Sequence, residues 1–152
     1  MGLVEQIPDE DAIYRQIDFP RMYDDAKHMI WENIFQFAGG RPESVVWGKY
    51  APTPEDVHRF GRAREAKTRE RNPDMRYVGF ISSTAGVIRA IATRPGHGFL
   101  VAHAPSEGIH HAEISYKPAA DQRPDQLKRN EKNELKLALR RAFGELVPYF
   151  SA

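Results

Sequence analysis

The chain has 152 residues, 41% of them hydrophobic and 28% charged, with a formal net charge of +1. Such values fit an ordinary globular fold and exclude an overall drive toward nucleic acid or membrane. The absence of cysteine excludes disulfides and thiolate metal sites, and no stretch has the apolar length of a membrane span. The first residues are acidic rather than basic, so one cytoplasmic domain over residues 1–152, without a signal peptide, is the expectation. Charge is uneven along the chain: residues 1–35 hold eight acids against three bases, a net of −5, which leaves +6 for the rest.

In chain order, an opening apolar run leads to Pro8-Asp9-Glu10-Asp11, which reads as an acidic helix start into Ala12–Ile17. A longer helix is expected from Pro20, because Phe19, Tyr23, Ala26, Ile30, Ile34 and Phe37 recur at steps of three or four and Gly39-Gly40 closes the run. Ser44–Trp47 reads as an edge strand. Thr53-Pro54-Glu55-Asp56 is a strong helix start, with a cap residue, proline in the first turn and acids at the positive helix end. That helix is expected to run to Asn72-Pro73. It is the most basic segment, and Arg59, Arg62 and Arg69 are its candidate binding residues for an anionic partner, nucleic acid included.

From Arg76 to Lys117, four apolar, β-rich runs are separated by turn residues: Tyr77–Ile81, Val87–Thr93, Gly98–Ala104 and Ile109–Tyr116. Their close spacing predicts an antiparallel meander, since parallel strands need a longer crossover. Turn chemistry at Pro95-Gly96 and at Pro105–Gly108 places Ala92 opposite Phe99 and Ile88 opposite His103. It also sets His103 opposite His110, Val101 opposite Ala112, and Phe99 opposite Ile114. One face then carries Val78, Phe80, Ile88, Phe99, Val101, Ala112, Ile114 and Tyr116, with the two histidines at its end. After a Pro118–Pro124 linker, Asp125 is expected to cap a last helix reaching about Val147, with Leu127, Leu135, Leu139, Ala142 and Leu146 as its buried stripe.

The fold class this implies is α+β: a four- or five-stranded antiparallel meander covered by N-terminal helices and a C-terminal helix. Helices followed by such a meander resemble the outline of small metal-independent ribonucleases. The candidate catalytic residues are His103 and His110, as acid and base for phosphodiester cleavage, because imidazole titrates near neutral pH. As zinc ligands the same two would need His97 or Glu107 to complete the set. Ser106 lacks a nucleophile-elbow context, and the Thr93–Gly98 run lacks the setting of a phosphate loop. His110 and His111 are assigned to opposite faces of a strand. No complete catalytic set, metal site or cofactor motif is present, so enzyme and binding module both remain open. The leading expectation is a small binding or regulatory protein that acts through a partner protein, through self-association or through a small ligand.

Overall fold

The computed structural model describes residues 3–150; Met1 and Gly2, where the opening run begins, lie outside the described residues, as do Ser151 and Ala152. Six antiparallel strands form the main sheet: β1 (Ala12–Phe19), β4 (Glu43–Trp47), β5 (Arg76–Thr84), β6 (Gly98–His103), β7 (His111–Lys117) and β8 (Val147–Pro148), in the order β6-β7-β4-β1-β5-β8. A two-residue ladder, β2 (Tyr23–Asp24) with β3 (Met29–Ile30), stands apart from it. Three α-helices complete the architecture of the described residues: α1 (Pro54–Thr68), α2 (Ala85–Arg89) and α3 (Arg129–Arg141). The α+β class and the antiparallel sheet agree with the expectation; the strand count and the N-terminal half do not.

The segment expected to begin as a helix is the central strand β1. Ile13, Arg15 and Ile17 are buried, while Tyr14 and Gln16 between them are half-buried. That period of two suits a strand with different environments on its two faces. Pro8–Asp11 closes a turn instead of opening a helix, with the Asp11 amide donating to the Pro8 carbonyl at 3.1 Å. The helix expected from Pro20 is also absent. Asp24 Oδ1 accepts the amides of Ala26 and Lys27 at 3.0 and 3.2 Å, which turns the chain between β2 and β3. Aspartate often satisfies nearby backbone donors in this way, and it thereby competes with helix. The apolar residues of the expected stripe are nevertheless buried: Ile34 and Phe37, with Phe35, lie on the core from an irregular segment.

Val87–Thr93 is not a strand. β5 runs on to Thr84, whose hydroxyl accepts the Val87 amide at 3.2 Å and caps α2. The pairs expected of Ile88 and Ala92 therefore do not form, and Ile88 enters the core from a helix. β6 and β7 do pair, but two residues away from the expected register: His103 faces Ala112, Val101 faces Ile114, and Phe99 faces Tyr116. A 3-10 turn at Pro105–Glu107 and the positive φ of Gly108 lengthen the connection. Because the slip is even, the side chains keep their faces. Ser44–Trp47 lies in β4, flanked by β7 and β1, so it is interior and not an edge.

The larger core lies on the face covered by α2 and α3, where Ile13, Ile17, Trp47, Phe99 and Ile114 meet Ile88, Leu135 and Leu139. Burial of each such side chain contributes about 1.5–3 kcal/mol. α3 is shorter than expected at both ends, with Asp125 in a separate 3-10 turn; of the expected stripe Leu127, Leu135 and Leu139 are buried, while Ala142 and Leu146 are half-buried and Phe143 is buried beside them. On the opposite face α1 covers a smaller cluster of Val46, Ala51, Val57 and Phe80. Its start is the expected one: Thr53 and Asp56 form a reciprocal capping box ahead of Pro54.

α1 approaches β5 closely at Gly61, where an added Cβ would stand 2.3 Å from the Tyr77 ring. Gly61→Ala is therefore expected to destabilise the fold by about 1–3 kcal/mol through overpacking, despite alanine's better helix propensity. Chemical denaturation measures this, and a stabilised variant would refute the close approach.

Candidate functional site

A groove of about 740 Å³ runs between α1 and the sheet at β1, β4 and the loop before β7. Its size falls within the ordinary range of small-molecule sites. α1 presents Phe60, Ala63, Arg64 and Lys67 to it, residues spaced so that they share one helix face. β1 contributes Arg15, Gln16 and Asp18, and β4 contributes Glu43, Ser44 and Val46. Glu107, His110 and His111 also line it, as do Arg21 and Met22.

The groove's charges are partly consumed by pairing. Arg64 holds Asp18 with both terminal nitrogens, one at 2.8 Å, and its Nε donates to Gln16 at 3.2 Å. Arg15 is buried and donates Nη1 to the Ser44 carbonyl at 2.7 Å and Nη2 to Glu43 at 3.5 Å. Burial pushes its guanidinium pKa down, and Glu43 opposes that shift. The β1–β4 ladder is formed at Ile13–Trp47 and Tyr14–Val46, and beyond it Arg15 bridges side chain to backbone. Arg21 and Lys67 are exposed and have no ion pair among the described residues.

Each histidine has a distinct setting. His103 is 4% exposed; its Nδ1 accepts the Glu5 amide at 3.0 Å, so its Nε2 carries the proton donated to the Ile109 carbonyl at 2.9 Å. Its ring packs against Trp47 and Tyr50 on the larger-core face. His110 stacks on Phe60 at 3.6 Å between centroids, on the face that α1 covers. The corrected register thus separates the expected acid–base pair across the sheet. His110 and His111 come together in the groove instead, because His110 precedes β7 and strand alternation does not apply to it.

In His111, Nδ1 lies 3.0 Å from the Ala104 carbonyl, which can only accept. Nδ1 therefore carries a ring proton, and in the neutral ring Nε2 accepts the Ser44 hydroxyl, 3.1 Å away. Glu107 Oε2 stands 3.4 Å from that same Nε2. His97, expected as a completing zinc ligand, is fully buried: Nδ1 accepts the Ala119 amide at 2.9 Å, and Nε2 donates to Glu131 at 2.8 Å. Among the described residues no group of three or more metal-ligating side chains comes together.

The three binding arginines expected from the sequence do not line the groove. Arg59 pairs with Asp56 at 2.9 Å and lies over the Phe60 ring, and Arg62 pairs with Glu65 and stacks on Tyr149. Arg69 is exposed at the end of α1. The groove takes Arg64 and Lys67 from the same helix. Their spacing with Phe60 was available in the sequence as a helical face; the Ser44–His111 contact was not, since it joins residues 67 positions apart.

Burial, then the neighbouring charges of His111 and Arg59, hold the His110 imidazole below its usual range. Burial does the same for His58. A depressed folded value means that the fold prefers the neutral ring. The resulting stability is full above the unfolded pKa of about 6.5 and is lost as pH falls through the folded value. Thermal melts from pH 7 downward are expected to show this loss, and His110→Phe, which preserves the stack, should make the loss smaller. An unchanged pH dependence in that variant would refute the role of His110.

Compared with protein-family models, with curated proteins and with solved structures, the chain matches none. Among the described residues no helix is long and apolar enough to cross a membrane.

Proposed function

We infer that this is a small-ligand-binding protein whose groove takes an organic anion carrying a phosphate or carboxylate. The carrying observation is that two cations, Arg21 and Lys67, have no ion pair among the described residues, on a groove whose other guanidinium groups are already neutralised by Asp18 and Glu43. Apolar walls from Met22, Val46 and Phe60 offer burial to the rest of the ligand. Protein partnership draws less support, because α1 covers the sheet face at Val46 and Phe80. Phosphodiester cleavage by His103 and His110 draws less support for a similar reason, since His103 has both ring nitrogens engaged on the far face.

Titration with inorganic phosphate and with a nucleoside monophosphate, followed through the His110 ring resonances, tests this reading. Binding is expected to weaken with salt, and Lys67→Ala is expected to lower affinity by about tenfold or more, the worth of one charge-assisted hydrogen bond. No shift at His110, or wild-type affinity in both the Lys67→Ala and the Arg21→Ala variants, would overturn it.

A further inference from the structure

We propose that Ser44 and His111 form a nucleophile–base pair that hydrolyses acyl esters in the groove. The geometry has the three parts that such a pair requires. Ser44 Oγ donates to His111 Nε2 at 3.1 Å; the ring is oriented from behind by Nδ1–H to the Ala104 carbonyl at 3.0 Å; and Ser44 is exposed on the groove wall. Both residues sit on neighbouring interior strands, where Val46 faces His111 and Ser44 faces Glu113, so the contact is held by the ladder and not by a loop. Arg15 fixes the Ser44 backbone further through its carbonyl. Glu107, 3.4 Å from Nε2, faces the imidazolium that forms when His111 takes the proton.

In the acylation step the Ser44 hydroxyl proton passes to His111 Nε2 while Oγ bonds to the ester carbonyl carbon. Collapse of the tetrahedral intermediate breaks the carbon–oxygen ester bond, and the leaving alkoxide takes the proton from Nε2. Water then attacks the acyl-serine and gives its proton to Nε2; Oγ recovers that proton as the carboxylic acid departs. Water is the co-substrate, and no oxidant enters the balance. The choice of an ester that bears a phosphate or carboxylate rests on the anion reading of Arg21 and Lys67. The nucleophile assignment stands on the Ser44–His111 geometry alone.

The test uses the full chain with a fluorophosphonate probe and with p-nitrophenyl acetate. A single covalent adduct is expected at Ser44, absent in Ser44→Ala, and formed about a hundredfold more slowly in His111→Gln, the usual loss when a general base is removed. As the chain has no cysteine, Ser44→Cys gives a second measurement: its one thiol should alkylate with iodoacetamide faster than a free cysteine at neutral pH, and His111→Gln should abolish the advantage. No adduct at Ser44, or an adduct and a thiol both indifferent to His111, would overturn the proposal. Inorganic phosphate should slow labelling by competition. If labelling at Ser44 occurs and phosphate has no effect on it, the pair stands and the anionic substrate class falls.

Discussion

Glu43→Ala is expected to cost about 3–5 kcal/mol of stability, the penalty for removing one partner of a buried ion pair. Glu43 is 9% exposed, and its carboxylate does three jobs at once. Its Oε1 accepts the Gln36 amide at 2.6 Å and the Phe37 amide at 3.2 Å, and its Oε2 faces Arg15 at 3.5 Å. The first two bonds hold the irregular segment that lays Ile34, Phe35 and Phe37 on the core, with Phe37 itself at a positive φ of 48°. The third balances a guanidinium that has no other carboxylate in hydrogen-bond contact among the described residues. Alanine thus leaves a buried charge and two backbone donors unsatisfied together. The double variant Arg15→Met/Glu43→Leu should recover a large part of the loss, because it removes both buried charges. Urea denaturation decides the point. A single substitution costing under about 1 kcal/mol, in the range of exposed pairs, would show that water reaches the carboxylate.

Trp47→Ala should be comparably severe, at about 3–5 kcal/mol, since it empties a large volume at the centre of the sheet. Trp47 is 1% exposed, its ring meets Tyr50 and His103 edge-on with centroids 5.4 and 5.0 Å away, and its indole N–H donates to Asp11 at 2.8 Å. The edge-on contact supports His103, so the substitution should also loosen the hydrogen bond from the Glu5 amide and speed hydrogen exchange there. Trp47→Phe keeps much of the volume and loses the Asp11 bond, and is expected to lie between alanine and wild type. Equal stability of the alanine and phenylalanine variants would show that neighbouring side chains collapse into the space.

Both residues occupy β4, the strand read from the sequence as an edge. Nothing local distinguishes an interior strand of five residues from an edge one; its neighbours, β1 and β7, are 24 or more positions away in the chain. The same distance hid the groove. Phe60, Ala63, Arg64 and Lys67 are readable as one face of α1, but a helix face becomes a site only when something lies opposite it. The two expected catalytic histidines show the converse case. A turn two residues longer than supposed moved His103 to Ala112 and released His110 to the other side.

By itself the sequence determined the local matters: the Thr53 capping box of α1, the apolar stripe of α3, and which residues of β6 and β7 share a face. These depend on hydrogen bonds within four residues or on side-chain periods of 3.6 and 2, which any tertiary setting preserves. Only the tertiary structure decided that Ala12–Phe19 is a strand and Ala85–Arg89 a helix, that Arg15 and Glu43 share a buried pair, and that Ser44 meets His111. Short apolar runs are ambiguous between strand and helix, and the choice falls to whichever neighbour satisfies their backbone and buries their side chains.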